Sequence, residues 1–240
     1  MNYFFITGSS KGLGKALTEL LLESGNVVYG FARTSSIQHE NYVHVTLDLN
    51  DLDKVQAYEF PVLNEADTII LVNNAGMIGD IKRIGNIDSE SIVSTYNINL
   101  ISPSVLMNSF MASYKDIKAD EKLILNISSG AGRAPMDGWS IYCSTKSGLD
   151  MFSKVLNEEA IKDKSDFKVL SLSPGLIDSQ MQEEIRSSSA ADFSNIQRFV
   201  DFKDNDDLVN PTDVAKKVMR FINNSDIASE VLCSVRELQD

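Results

Sequence analysis

Thr7-Gly8-Ser9-Ser10-Lys11-Gly12-Leu13-Gly14 joins an aromatic and β-branched run at residues 3–7 to a segment of helical period. Beyond this stretch, Leu13, Ala16, Leu17, Leu20 and Leu21 fall at i, i+3, i+4, i+7 and i+8, an apolar stripe that stops at Gly25. A second apolar run, Val27–Ala32, follows. Strand, helix and strand make a βαβ unit, in which the two strands run parallel. Glycines between the first strand and the helix let the backbone turn tightly and approach a pyrophosphate, and the helix N-terminus offers that anion free N–H groups and a positive dipole end. The spacing is Gly-x-x-x-Gly-x-Gly, one residue different from the commoner Gly-x-Gly-x-x-Gly turn. It is not a mononucleotide P-loop: Gly14-Lys15 is followed by Ala16 where Ser or Thr would stand, and Ser9 occupies the position five before Gly14. A glycine-rich turn can also be a plain connector, and the strand–turn–helix context is what favours a nucleotide.

Outward from this unit, short aliphatic runs recur at residues 43–49, 68–72, 123–128, 168–173 and 231–235, separated by longer helical patterns. One pattern covers 89–114, opened by Asp88 as N-cap, with Pro103 expected to bend or divide it. Another covers 142–162, and a last one opens at Asn210-Pro211, with Asn as cap and Pro in the first turn. The alternation predicts an α/β doubly wound fold: a seven-stranded parallel sheet with helices on both faces, in one domain spanning residues 1–240. Residues 175–207, rich in Ser, Asp and Gln, read as an irregular insertion after a strand and hence as a substrate lid.

The 240 residues, 43% apolar and 23% charged, suffice for a full core. A net charge of −12 argues against nucleic acid or anionic lipid as partner. The longest aliphatic run, residues 69–72, falls far below the roughly 20 residues a membrane helix needs, and Met1 leads straight into a strand without a secretory signal pattern. Two cysteines, Cys143 and Cys233, fit a reducing, cytoplasmic setting. Two histidines, His39 and His44, without metal-ligand spacing, point away from a metal site.

The second strand ends beside Arg33, where a doubly wound fold meets the adenosine ribose; an acid there would bind a 2′-hydroxyl, whereas an Arg accepts a 2′-phosphate. Lys11 is a second cation for that phosphate, so NADP(H) is expected over NAD(H), although both cations can equally be ordinary surface charges. Asp48, read as ending the third strand, offers a carboxylate to an adenine amino group or a cap to the next helix. Asn73-Asn74-Ala75-Gly76 follows the fourth strand and places small residues and amides at a ligand-facing strand end.

Tyr142 and Lys146 lie four apart on a helical pattern, on one face. A phenol titrates near pH 10, and an adjacent ammonium lowers that value towards acid–base use. Ser129, thirteen residues before Tyr142, closes the fifth strand and can meet it. Tyr114 and Lys118 repeat the spacing, but Ile101 stands thirteen residues earlier, so this pair is read as surface residues. Met136 and Trp139 are candidate walls of an apolar pocket, with plain core packing as the alternative for Trp139. Cys143 is read as a small filler beside Tyr142 rather than a redox group.

Together, Thr7-Gly8-x-x-x-Gly12-x-Gly14, Asp48, Asn73-Asn74-Ala75-Gly76, Asn99, Ser129, Tyr142-x-x-x-Lys146 and Pro174-Gly175 resemble the short-chain dehydrogenase/reductase family over essentially the whole chain. The resemblance implies a Rossmann-type fold, with Tyr142 as proton donor to a substrate carbonyl and Lys146 binding the nicotinamide ribose and lowering the Tyr pKa. It implies that Ser129 polarises the carbonyl and Asn99 holds a relay water. It places NADP(H) against Gly8, Ser10, Lys11, Gly12, Leu13, Arg33, Asp48, Leu49, Asn74, Ala75, Gly76, Tyr142, Lys146, Pro174, Gly175 and Ile177. A small carbonyl substrate would meet Ser129, Met136, Trp139, Tyr142 and Met181. Trp139-Ser140-x-Tyr142-Cys143-Ser144-x-Lys146 and residues 173–182 narrow the resemblance to the sepiapterin-reductase-like branch, and within it to bacterial NADPH-dependent benzil reductases forming (S)-benzoin. The last strand, Val231-Leu232-Cys233-Ser234-Val235, lacks the acid with which sepiapterin reductases hold a pterin, which moves weight to an aromatic or vicinal diketone. Sepiapterin or another ketone as substrate, and a non-catalytic NADP-sensing protein, are the competing expectations. The family also implies a homodimer through the helices at 89–114 and 142–162.

Overall fold

The computed structural model describes residues 1–237. Seven strands form where the aliphatic runs put them: β1 Asn2–Thr7, β2 Val27–Ala32, β3 Tyr42–Thr46, β4 Thr68–Asn73, β5 Glu121–Ile127, β6 Phe167–Ser173 and β7 Leu232–Ser234. They build one sheet in the order β3-β2-β1-β4-β5-β6-β7, every pair parallel. The order reverses between β1 and β4, so the crevice beyond Thr7 and Asn73 is the topological switch point, where a doubly wound sheet takes its ligand.

The helices are α1 Gly12–Glu23, α2 Leu52–Gln56, α3 Ser89–Tyr96, α4 Ser102–Tyr114, α5 Ser140–Asp163, α6 Gln180–Arg186, α7 Ile196–Asp204 and α8 Pro211–Asn223. Alternating strand residues feed two cores, because successive side chains point to opposite faces. Phe4, Ile6 and Val72 pack with Leu17 of α1 and Val218 of α8 on one side. Phe5, Leu71 and Ile124 pack with Phe110 of α4 and Leu149 of α5 on the other. The caps follow the sequence: Asp88 accepts from the Glu90 N–H at 2.9 Å, and Asn210 accepts from the Thr212 N–H at 2.9 Å. Among the described residues no helix is long and apolar enough to cross a membrane.

The expected division at Pro103 is borne out, and four other expectations are corrected. The 89–114 pattern does divide, but as a π turn, Asn97–Ile101, between α3 and α4. Pro103 has no N–H for the carbonyl of residue 99, and the ladder widens over the turn before it instead of simply bending. The third strand ends at Thr46, so Asp48 lies in the following turn, where its carboxylate accepts from the Asn50 N–H at 2.9 Å; the cap of α2 is Asp51. The last strand is shorter than residues 231–235, pairing with β6 only over Leu232–Ser234. Residues 175–207 are only partly irregular, since α6 and α7 lie within them between turns and loops. Tyr114 is no surface residue: it is buried in the second core and donates its hydroxyl to the Pro61 carbonyl at 2.9 Å, while Lys118 is exposed as expected.

Candidate active site

The glycine turn sits at the switch point and is tied to β4. Gly8 adopts φ +71°, a left-handed conformation open to glycine, and its N–H donates to the Phe31 carbonyl at 2.8 Å. A Cβ on Gly14 would collide with the Gly8 carbonyl and the Asn74 amide, so only glycine lets α1 start this close. The N–H groups of Asn74 and Ala75 both donate to Thr7 Oγ1 at 3.0 Å, and the Asn74 amide donates to the Thr7 carbonyl at 2.9 Å. These bonds hold the C-terminal ends of β1 and β4 as one rigid edge.

α1 opens at Lys11, whose backbone is extended and whose side chain makes no capping bond, so the first-turn N–H groups face the crevice without a side-chain acceptor. That is what an anion at a helix N-terminus requires. Open space at Gly12, with nothing within 4 Å of a would-be Cβ, leaves room for a pyrophosphate, and the residues present fit a dinucleotide. Lys11 Nζ donates to Gln180 Oε1 at 2.7 Å, across the crevice, and Arg33 is exposed directly after β2. Leu13 and Leu49, expected at the cofactor, have their side chains in the two cores, which leaves only their backbone for a ligand. Ile177 packs against the first core and bridges to Val209, just beyond Pro174-Gly175.

The second half of the site hangs on α5. Tyr142 and Lys146 are one turn apart and both buried. Lys146 Nζ donates to the Ile127 carbonyl at 2.8 Å and lies 5.8 Å from the Tyr142 ring centroid. Ser129 caps the 3-10 turn Gly130–Gly132, accepting from the Ala131 N–H at 3.2 Å, and its hydroxyl lies near enough to Tyr142 to favour the ionised phenol. Asn99 comes from the π turn. Its Oδ1 accepts from the Met77 N–H at 2.9 Å, and its amide donates to the Met77 carbonyl at 2.8 Å and to Thr145 Oγ1 at 3.2 Å. A Cβ built on Gly76 would lie 3.4 Å from Asn99 Oδ1 and 3.5 Å from Lys146 Nζ, so the three converge on one small cradle.

Burial dominates the electrostatics. Desolvation pulls Lys146 down to about 8, partly opposed by the Asp150 carboxylate. It pushes the Tyr142 phenol up to about 12, with the Ser129 hydrogen bond pulling it back and Cys143 adding to the rise. The phenol is therefore raised where a lowering was expected, because burial outweighs the Ser129 hydrogen bond. Burial also raises the Cys143 thiol, in keeping with an unreactive neighbour.

A third apolar cluster covers Tyr142: Ile78, Ala131 and Trp139 meet Ile185 of α6, Phe193, and Phe199 of α7, with Met136 and Met181 half-buried against them. Trp139 stacks on Phe193 at 5.0 Å between centroids and stands edge-on to Tyr142 at 5.8 Å. Trp139 thus serves both readings, packing the 175–207 segment and forming one side of the Tyr142 surroundings. Phe193 and Phe199 were missed; apolar residues spaced through a polar stretch were their only trace. Among the described residues no cluster of His, Cys, Asp or Glu could hold a metal.

Residues 2–190 match the short chain dehydrogenase family. The chain is 33% identical over 239 residues to a benzil reductase ((S)-benzoin forming) of Bacillus cereus, covering 94% of this chain and 96% of that one. It is 35% identical over 228 residues to one of Bacillus subtilis (92% and 93% covered), and 28% identical over 239 residues to a sepiapterin reductase of Xenopus tropicalis (90% and 89%). Among solved structures, a short chain dehydrogenase/reductase of Saccharomyces cerevisiae superimposes with a TM-score of 0.81 at 21% identity, covering 98% of this chain and 96% of that one. A short chain dehydrogenase of Burkholderia cenocepacia in complex with NADP gives 0.74 at 19% identity, with 97% and 87% covered. With its parallel seven-stranded sheet and these matches, the chain belongs to the short chain dehydrogenase family, and it is an oxidoreductase acting on carbonyl or CH–OH groups.

Proposed function

We propose that the protein is an NADPH-dependent reductase of a small aromatic or vicinal diketone, benzil being the model substrate. The observation that carries this is the linked placement of four side chains: Lys146 and Asn99 meet at Gly76, and Tyr142 lies beside both Lys146 and Ser129. NADPH, when bound, supplies the hydride. Tyr142 Oη donates the proton to the carbonyl oxygen, and its raised pKa keeps that proton on the phenol across the neutral range. Ser129 Oγ donates a hydrogen bond to the same oxygen. Lys146 Nζ, anchored on the Ile127 carbonyl, donates to the cofactor ribose, and Asn99 holds the water that connects the ammonium to solvent. Lys11 and Arg33 receive the 2′-phosphate, and Gly8, Ser10, Gly12 and the backbone of Leu13 the pyrophosphate.

The diketone is supported by the two benzil reductases at 33% and 35% identity and by the Trp139, Met136 and Met181 walls beside Tyr142. α6 and α7 act as the substrate lid, excluding water from the phenol. Exposed Val93 and Ile101 near α3, with Met151, Phe152 and Val155 on α5, support a homodimer, which sedimentation would test. The decisive assay follows NADPH absorbance with benzil. Turnover by the native protein and at least about a hundredfold less by Tyr142→Phe is the expected result, the scale of a lost proton donor; equal turnover by both removes Tyr142 from the chemistry.

A further inference from the structure

Lys146 is not the only charge buried on α5. One turn further on, Asp150 is 4% exposed, on the same side of the helix. Its carboxylate is held from two other elements: Oδ1 accepts from Ser171 Oγ of β6 at 2.6 Å, and Oδ2 accepts from Arg133 Nε at 3.3 Å. Arg133 follows the turn that Ser129 caps, and its Nη2 reaches the Ser171 carbonyl at 3.4 Å and the Cys233 carbonyl of β7 at 3.3 Å. Arg133 itself reaches solvent, so the buried charge is the Asp150 carboxylate alone, and taking it out of water is costly unless its partners offset that cost. A buried carboxylate one turn from the buried Lys146 acts on that ammonium through a medium that screens it little.

We propose that Asp150 is a positioning residue that keeps Lys146 in its ammonium form, with Arg133 moderating how much of the carboxylate's field reaches it. The inference rests on the proposed reading of Lys146 as the group that serves Tyr142 and the ribose. Among the described residues, the charged or titratable groups facing Lys146 are few. α5 brings Tyr142 and Asp150, and Arg133 acts on it through Asp150. β5 presents the Ile127 carbonyl, and the π turn presents the neutral Asn99 amide. Desolvation drives an isolated ammonium here towards the neutral amine, and Asp150 opposes that drift.

Two substitutions should therefore move Lys146 in opposite directions. Asp150→Asn keeps an acceptor for Ser171 but deletes the charge, and should lower the Lys146 midpoint by about one pH unit. Arg133→Met deletes the opposing cation and should raise it. The midpoint is read directly by NMR titration of lysine labelled at Cε, the Lys146 signal being identified by its loss in Lys146→Met. The high-pH limb of NADPH-linked reduction should shift the same way in each variant. An unchanged Lys146 midpoint in both, or activity lost equally at every pH, overturns the proposal and leaves the network a structural brace. If Asp150→Asn does not fold, the upward shift in Arg133→Met decides the matter alone. The NMR midpoint is independent of turnover, so a failure of the catalytic reading, seen as an active Tyr142→Phe, is distinguishable from a failure of this one.

Discussion

Lys11 Nζ donates to Gln180 Oε1 at 2.7 Å, joining the glycine turn to the first residue of α6 across 169 residues of sequence. The cation proposed for the 2′-phosphate is thus already engaged by α6. Lys11→Ala and Arg33→Asp should each weaken NADPH binding about tenfold or more, about 1.4 kcal/mol, with much less effect on NADH. Gln180→Ala, which frees the ammonium, should bind NADPH at least as tightly as the native chain. Fluorescence titration with both cofactors measures this; equal losses for NADPH and NADH would refute the phosphate assignment.

The Lys146 environment sets a pH dependence. With Lys146 near 8 and Tyr142 near 12, reduction should decline as pH rises through about 8, from loss of the ammonium while the phenol is still protonated. A kcat/KM profile of NADPH-linked reduction flat to pH 10 would contradict it.

The same shift has a stability consequence. The folded pKa of Lys146 lies below the 10.5 of a free lysine, so the unfolded chain binds the proton more tightly. This group therefore lowers stability at neutral pH, and that penalty fades as pH rises from about 8 to 10.5. Lys146→Met should lose turnover yet gain about 1 kcal/mol or more, about 2–4 °C in Tm by calorimetry. A lower Tm would show that the Ile127 contact outweighs the desolvation.

Phe193 is fully buried by Trp139 and Phe199 and carries much of the contact between the 175–207 segment and the rest of the chain. Phe193→Ala should cost about 3 kcal/mol. Because the sheet cores do not include it, the loss should appear first as faster proteolysis within residues 175–207. Cleavage elsewhere, with that segment still protected, would count against a separable lid.

Tyr114 and Tyr142 share the Tyr-x-x-x-Lys spacing and differ in everything the fold adds. Tyr114→Phe leaves the Pro61 carbonyl without its donor and should cost about 1 kcal/mol while turnover persists. Tyr142→Phe should fold normally and lose turnover. Parallel urea melts and NADPH assays separate the two.

The strands, α1 and α8 with its Asn210 cap were legible because period, glycine stops and caps are written in adjacent residues. The pairing of Tyr142 with Lys146, and its difference from the Tyr114 decoy, were legible for the same reason, since the position of Ser129 relative to a strand end is local information. The π turn at Asn99 was not, because it depends on how α3 and α4 must both dock once Pro103 breaks the ladder. The two helices inside residues 175–207 were hidden by a polar composition, and only docking on Trp139 gives their few aromatic residues a reason to be buried.

By itself, then, the amino-acid sequence determined the parallel sheet, the glycine turn and which hydroxyl and amine share a helix face, all consequences of short-range period and backbone sterics. The tertiary structure alone decided the charges. Burial beneath α6 and α7 raises the Tyr142 phenol instead of lowering it, and a carboxylate held by Ser171 of β6 and by Arg133 after the turn at residues 130–132 lies one helical turn from Lys146. Desolvation and Coulomb interactions depend on what surrounds a group in space, and spacing along the chain carries no record of that.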